Sequence, residues 1–499
     1  MANRTYSAAL SFWGAAGTVT GSKFLLETGG EAGRAAGASR VLVDCGLFQG
    51  PKVWRERNWV APGWGGFDTL NAPDALDAIV LTHAHLDHSG YLPRLLALGR
   101  QSFGTPQRAW KGPDWRAYAT PATVDLLRVL LPDSAHIQEE DAAFANKKGF
   151  SKHKPALPLY TSSDAYASLR LLRARDYDDP WEVAPGIQAV FQDAGHIVGS
   201  ATARFTLPDA RTVLFSGDLG RYVNPLLRDP SSPGNADVLV MESTYGGRLH
   251  SPEPPAEGLA AAVEEVVRQE GILLVPAFAV GRTQDLLYAL RELMVSGRVP
   301  ELPVFVDSPM AVEATRIFLA HEEAHDPELY ERGQAGMRRR EALQWGAEGG
   351  VRYVETRGES QSLNDLKGPA IILSASGMAT GGRILHHLKH RLPRRNTVVL
   401  LVGYQAEGTR GRLLLEGAKT LKIHGEQVPV QAQVRMVDGF SAHADEAELL
   451  RWLGGFSSRP QRIFLVHGEP GAATALAASI HRELGWQAEI PQFGQRVPL

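Results

Sequence analysis

Cysteine is nearly absent from this chain: Cys45 is the single thiol among 499 residues. A disulfide within the chain is therefore excluded, and so is a zinc cage built from thiolates. Any metal ligands have to be histidines and carboxylates. Long apolar runs are missing as well. No stretch has the length that a membrane-spanning helix needs, and the opening Met-Ala-Asn-Arg-Thr-Tyr lacks the apolar core of a signal peptide. No membrane partner is expected, and the default location is cytoplasmic. Nor does one sign of charge dominate: 52 Lys and Arg against 55 Asp and Glu leave a formal net charge of -3. That balance supplies no global attraction for a polyanion, so a phosphate-rich partner would have to be gripped locally. What is present is enough apolar residue, 44%, to bury a sizeable core. The length suggests two or three domains, and two is the working figure.

The first half reads as strands beside helices. Apolar and β-branched runs at 8–13, 22–27, 41–44 and 78–82 are bounded by Gly, Pro or polar residues, as strands are. Helical patterns follow at 91–98, 123–131 and 164–172, with Pro121 placed where a helix begins. Strands return at 187–192, 201–207, 212–216 and 238–242. From about residue 247 helix and strand alternate, through 256–269, 272–276, 282–295, 304–307, 311–320, 370–374, 382–391 and 397–402. Such alternation predicts a parallel, doubly wound sheet. Strands near Val434 and Ile463 and a helix at 472–484 complete the pattern. The Gly/Ala-rich stretch 29–39 and the mixed stretch 99–115 read as surface loops.

The chemistry is concentrated in one hexapeptide. His83, His85, Asp87 and His88 follow directly on the apolar run 78–82, an improbable place for three imidazoles unless they are used. On an extended segment His83 and His85 project to the same side and can reach one ion, while Asp87 and His88, past the turn, face a second site. His196, Asp218 and His467 also stand at the ends of apolar runs. Taken singly, each of these three is more readily a satisfied structural residue than a ligand.

Together these residues resemble the metallo-β-lactamase fold, and specifically the β-CASP RNA-processing nucleases, over nearly the whole chain. The resemblance implies an α/β architecture: an αββα sandwich at 1–246 and 439–499, and an inserted β-CASP domain at 247–438 with a Rossmann-like parallel sheet flanked by helices. It also implies two zinc ions, one on His83, His85 and His196, the other on Asp87, His88 and His467, with Asp218 between them. Manganese or iron(II) suits the same ligands. Asp44 resembles a family aspartate that orients a ligand rather than binding metal. Glu242, in Glu-Ser-Thr-Tyr-Gly, and His443, in Phe-Ser-Ala-His-Ala-Asp, match two motifs of the β-CASP branch. His467 in Leu-Val-His-Gly matches its RNA-acting members more than its DNA-repair members.

The activity so implied is hydrolysis of phosphodiester bonds in single-stranded RNA, endonucleolytic or 5′ to 3′ exonucleolytic. A metal-bound hydroxide is the implied nucleophile, oriented by Asp87 and Asp218. His443, supported by Glu242, is the general acid, and the products are a 3′-hydroxyl and a 5′-phosphate. The insertion opens after Glu242 and returns before His443, which places the expected cleft at the domain boundary and favours single strands over duplex. Candidate phosphate-binding residues are Ser374, Ser376, Gly377, Gly382 and Arg383 in a Gly/Ser-rich loop, with Arg282 and Ser441. A basic run, Lys389, Arg391, Arg394, Arg395, Arg410 and Arg412, adds local positive charge. Rival readings are a small-molecule lactam or thioester hydrolase on the same core, a DNA nuclease, and a catalytically silent RNA-binding scaffold. The chain stops soon after the His467 segment, so a homodimer has no dedicated dimerisation domain to support it.

Overall fold

The computed structural model describes residues 8–29, 38–60, 76–102, 115–149, 151–222, 224–326, 350–403, 405 and 407–499. Most of the two expected surface loops, 30–37 and 103–114, lies outside the described residues. Two compact units emerge: one comprises 1–224, 229–249 and 443–499, the other 225–228 and 250–442.

The first unit is built on two sheets. Strands β1 (Ala8–Phe12), β2 (Phe24–Thr28), β3 (Ser39–Val43), β4 (Ala78–Val80), β5 (Arg116–Ala119) and β6 (Leu172–Ala174) lie side by side in chain order. The second sheet starts with β7 (Trp181–Ala184), β8 (Ile187–Asp193), β9 (Ala201–Thr206), β10 (Thr212–Phe215) and β11 (Val238–Glu242). A late strand, Arg462–Val466, pairs in parallel with β11, and the terminal Arg496–Pro498 pairs with β1. Alternation along each strand explains the layering. Val213, Phe215, Val240 and Phe464 face the core shared with Leu10, Phe12, Leu26 and Val43 of the first sheet. Their neighbours Leu214, Leu239, Met241 and Leu465 face the other way, against helices Glu446–Leu453 and Pro470–Leu484 through Leu449, Trp452 and Leu476. This sandwich carries the αββα arrangement expected from the sequence.

The second unit holds six parallel strands: β12 (Ile272–Pro276), β13 (Val304–Val306), β14 (Val351–Tyr353), β15 (Ala370–Ser374), β16 (Thr397–Val402) and, after the small hairpin β17 (Thr420–Ile423) and β18 (Glu426–Pro429), β19 (Gln433–Val437). Their order is β14-β13-β15-β12-β16-β19. The all-parallel pairing is that of a doubly wound sheet, whose inner strands are buried on both faces and read as nearly continuous apolar runs such as Thr397–Val402.

Some boundaries differ from the sequence reading. The helix expected at 123–131 runs over Pro121–Lys148 and continues through Pro132. Thr120 caps its start and Gly149, in the left-handed region, ends it. The helix expected at 164–172 covers Ser162–Leu169, because Leu172 already belongs to β6. Residues 99–102, expected in a loop, complete the helix Leu92–Ser102. Among the described residues no helix is long and apolar enough to cross a membrane.

Candidate metal centre

The strands of the first unit deliver their polar residues at their ends. Asp44 follows β3, His83 follows β4, His196 follows β8, Asp218 follows β10, Glu242 closes β11 and His467 follows Arg462–Val466. Asp44 and His467 adopt positive φ, 58° and 49°, a conformation that costs energy for any residue with a Cβ and persists only where the surroundings impose it.

These turns bring all seven expected ligands together. His83 Nε2 lies 3.1 Å from His85 Nδ1, and His196 Nε2 lies 3.3 Å from the same atom. Asp218 presents one oxygen to each side. Its Oδ2 is 3.6 Å from His83 Nε2 and 3.7 Å from His196 Nε2, while Oδ1 is 3.3 Å from His88 Nε2. On that second side His467 Nε2 lies 3.5 Å from Asp87 Oδ2. The donors of His83, His85, His196 and Asp218 lie within 4.8 Å of one another, as do those of Asp87, His88 and His467. Ligand atoms held 2.0–2.1 Å from one tetrahedral ion sit about 3.3–3.4 Å apart, which is the spacing found here. Imidazole nitrogens facing each other at 3.1 Å repel unless a cation or a proton lies between them. The donor set therefore fits metal ions.

Outer contacts fix the rings. Thr82 donates its N–H to Asp44 Oδ1 at 2.8 Å, and Asp44 Oδ2 lies 2.8 Å from His88 Nδ1, leaving Nε2 to face Asp218. Thr82 Oγ1 stands 3.1 Å from His83 Nδ1, and Thr244 Oγ1 stands 3.1 Å from His467 Nδ1. Such partners orient metal-binding imidazoles and set their tautomers. Backbone also contributes. Cys45 N–H donates to His88 O at 2.7 Å and Leu47 N–H to Leu86 O at 2.8 Å. Gly46 lies so close to this segment that a Cβ would meet Asp87 O at 1.6 Å. Gly220 plays the same part behind the His196 turn, where a Cβ would be 1.8 Å from Gly195 O.

Electrostatics point the same way. Burial drives the His83 imidazole well below its ordinary range, and burial likewise takes His85 down to about 4, so both hold free lone pairs at neutral pH. For Asp87 and Asp218 burial opposes ionisation, but the surrounding imidazoles outweigh it and hold both below the usual carboxylate range. His88 is the exception. Burial lowers it, yet Asp218 and Asp44 raise it well above 6.5, so a metal must displace its proton.

His443 and Glu242 lie beside this cluster. His443 Nδ1 is 3.2 Å from Glu242 Oε1 and 3.9 Å from Asp218 Oδ2. Glu242 is itself anchored, accepting the N–H of Leu219 at 2.6 Å and of Thr244 at 3.3 Å. Burial works against a proton on His443, but Glu242, Asp218 and Asp87 together push its pKa up to about 9.

The expected phosphate-binding residues have other attachments. Within the second unit Arg383 Nη1 is 2.6 Å from Asp307 Oδ1, and its Nη2 donates to Glu355 O at 2.7 Å. Ser374 is buried and donates to Asp307 O; Ser376 pairs with Thr380 at 2.9 Å. Gly377 and Gly382 lie in the same loop, where a Cβ on Gly377 would strike the Phe278 ring. Arg282 is buried near Asp285, at 3.7 Å, and Ser441 is buried. Of the basic run, Lys389 pairs with Glu426, Arg412 with Glu416, and Arg391 and Arg410 donate to backbone carbonyls. Much of its charge is thus engaged locally. Asp307 and His387, 2.6 Å apart and both buried, were not singled out by the sequence; a histidine one turn into a helix beyond a Gly-rich loop was the available signal.

Comparison with known proteins identifies the domains that carry this arrangement. Residues 34–268 match the metallo-β-lactamase superfamily, 283–414 the Beta-Casp domain, and 427–491 the Zn-dependent metallo-hydrolase RNA specificity domain. The chain is 36% identical to Ribonuclease TTHA0252 of Thermus thermophilus over 98% of its own length and 99% of that protein's. It is 33% identical to the transcription termination factor FttA of Pyrococcus horikoshii over 83% of its length, which spans 60% of that protein, and 31% identical to FttA of Methanosarcina mazei. A crystal structure of a protein of unknown function from Enterococcus faecalis shares the fold, with a TM-score of 0.50 at 15% identity over 99% of this chain and 100% of that one. The chain belongs to the β-CASP nucleases of the metallo-β-lactamase superfamily and is a metal-dependent nuclease.

Proposed function

We propose that this nuclease is a two-zinc ribonuclease that hydrolyses phosphodiester bonds of single-stranded RNA and leaves 3′-hydroxyl and 5′-phosphate ends. The observation that carries the reading is the placement of His443, held by Glu242, next to Asp218 at the edge of the metal cluster. A thioester hydrolase, whose thiolate leaves without a proton, has no need of such an acid beside its metals; a phosphodiester with an alkoxide leaving group does. An RNA substrate is supported by the match to an RNA specificity domain and by the relative named a ribonuclease.

His83, His85 and His196 would hold one ion and Asp87, His88 and His467 the other, with one Asp218 oxygen turned to each. Zinc suits this nitrogen-rich set, and manganese or iron(II) is accommodated by the same donors. When bound, such ions supply Lewis acidity to the phosphodiester oxygens and make water acidic enough to attack near pH 7. Asp87, anionic because of its imidazole neighbours, accepts a hydrogen bond from the attacking water and orients it in line. Glu242 occupies His443 Nδ1, so Nε2 is the nitrogen that carries the proton to the departing 3′ oxygen. Glu242 also stabilises the imidazolium, which keeps the acid loaded at neutral pH.

Product analysis on end-labelled and internally labelled single-stranded RNA and DNA tests the reading. Metal-dependent RNA cleavage with 5′-phosphate ends, lost in His443→Ala and after chelation, is expected. Intact RNA together with robust ester or lactam hydrolysis would transfer the assignment to a small-molecule hydrolase, and preference for DNA would make it a DNA nuclease.

A further inference from the structure

Immediately after the Asp44 turn the chain builds a feature that the metal chemistry does not use. Residues 51–60, Pro-Lys-Val-Trp-Arg-Glu-Arg-Asn-Trp-Val, fold into two short helical turns, Lys52–Arg55 and Glu56–Asn58. Asn58 pins them to Phe48, accepting its N–H at 2.9 Å and donating to its carbonyl at 2.8 Å. Phe48 stacks on Trp54, with ring planes 13° apart. The Arg57 guanidinium lies 4.4 Å from the centre of Trp54 and 4.0 Å from that of Phe493. Phe493, at the edge of this cluster, is 42% exposed; Trp59, next in sequence to Asn58 and with the Arg94 guanidinium 5.7 Å from its ring centre, is 50% exposed.

Three observations argue against a merely structural cluster. Arg57 Nη1 is buried yet has no hydrogen-bond acceptor, and among the described residues neither Arg55 nor Arg57 has a carboxylate partner. A buried guanidinium N–H left without an acceptor is costly and calls for an anion or a carbonyl from outside. The segment carries Lys52, Arg55 and Arg57 against Glu56 alone, in a chain whose net charge is -3. Its position is also fixed relative to the metal ligands, because Leu47, the residue before Phe48, donates to Leu86 O, the residue before Asp87.

Exposed rings beside guanidinium groups that lack a carboxylate partner match one ligand chemistry: unstacked bases joined by phosphates. We propose that Trp54, Arg57, Trp59 and Phe493 form a stacking subsite for single-stranded nucleic acid flanking the scissile phosphate, with Arg55 and Arg57 meeting its phosphates or base carbonyls. This deepens the ribonuclease reading and rests on it for the identity of the strand. Duplex conceals the base faces and cannot occupy the subsite.

The test uses the full metal-loaded chain. Trp59→Ala, Trp59→Leu, Arg57→Lys and, as a control exposed aromatic elsewhere, Tyr166→Ala are compared on single-stranded RNA of about 20 and about 4 nucleotides, lengths on either side of a typical strand-binding site. Loss of one base stack should raise KM for the long RNA about 10-fold in both Trp59 variants, with kcat unchanged within about twofold. The short RNA should be affected less, Arg57→Lys should lose the planar stack while keeping charge, and Tyr166→Ala should match the parent. Trp59→Leu retains apolar bulk, so agreement between the two Trp59 variants separates stacking from folding. Fluorescence anisotropy with labelled single-stranded RNA and DNA reads the same subsite without cleavage. Unchanged KM and unchanged strand binding in both Trp59 variants would overturn the subsite while leaving the ribonuclease reading intact. Absence of RNA cleavage by the parent, with strand binding still weakened by Trp59→Ala, would overturn the ribonuclease reading and leave the subsite. A change of oligomeric state in place of strand binding would reassign the patch to a protein partner and overturn the proposal.

Discussion

Asp44 Oδ2 lies 2.8 Å from His88 Nδ1, on the side of the ring away from Asp218, which stands 3.3 Å from Nε2. One carboxylate thus aims the imidazole that the other faces across the proposed metal site. Asp44→Ala should leave every ligand in place yet weaken metal binding about 10- to 100-fold, as loss of such orienting partners does. Competition with a chelator of known affinity measures it; full affinity in the variant would show that β3 and the backbone contacts orient His88 unaided.

The same relationship should make metal uptake a proton-releasing event. Without metal His88 is protonated above its usual range because it sits between two carboxylates, despite the opposing effect of burial. Ion and proton compete for Nε2, so affinity should rise with pH through the region above 6.5. Titration calorimetry in buffers of different ionisation enthalpy should report net release of a proton. Buffer-independent heats would contradict this.

The metal-free protein should also show an unusual stability profile. His85 is taken down to about 4 by burial, so between about 4 and 6.5 the unfolded chain binds more protons and stability increases with pH. His443 behaves oppositely. Its pKa rises to about 9 because Glu242, Asp218 and Asp87 outweigh burial, so between 6.5 and about 9 the folded chain binds more protons and stability falls as pH rises. Thermal melts of chelated protein should therefore peak near pH 6.5, and metal should move the peak upward by removing the proton requirement at His88. A chelated protein most stable at pH 9 would show that the His443 proton contributes nothing.

Catalysis should depend on that proton as well. His443→Ala is expected to reduce kcat by about 10²- to 10⁴-fold with little change in metal content, the usual range for loss of a general acid. Activity of the parent should decline on the alkaline side as His443 loses its proton, at or below about 9, since bound cations offset part of the pull of Asp218 and Asp87. A parent limb that persists unchanged in the residual activity of the variant would assign the limb to another group.

Which of these features the sequence disclosed follows from how far apart their parts lie. The run from His83 to His88 is legible because four donors crowd one strand end. His196, Asp218 and His467 are candidates from their places at strand ends, but only the family resemblance turns the balance from structural residue to ligand, since one carboxylate or one imidazole at a strand end is ordinary. The parallel sheet of the second unit was legible from alternation of helix and strand. Invisible in advance was the dependence on Gly46, whose requirement arises from the approach of Asp87, 41 residues on. The partners of the cations were hidden for a similar reason: Arg383 of the Gly/Ser-rich loop and Lys389 and Arg412 of the basic run have partners at 307, 426 and 416 that composition alone does not pair. Pro132, which looks like a helix end, is carried inside a helix of 28 residues.

The Arg383 contacts lead to a last prediction that separates substrate binding from architecture. Asp307 is fully buried, and its carboxylate meets His387 and Ser360 at 2.6 Å and Arg383 at 2.6 Å. Burial raises its pKa, but those three partners outweigh burial and hold the group ionised, so its stabilising effect is present above the usual carboxylate range and lost as pH falls through the lowered value. Removing one member leaves a buried charge poorly compensated, at a cost of about 3 kcal/mol. If Arg383 serves this network, Arg383→Ala and Asp307→Asn should lower the melting temperature to a similar extent, and the double variant should lose less than the sum, because the two side chains act as a unit. If Arg383 also meets substrate phosphate, Arg383→Ala alone should raise KM and weaken its dependence on salt, while Asp307→Asn should not. Equal thermal losses with an unchanged KM in Arg383→Ala would remove Arg383 from the substrate-binding set.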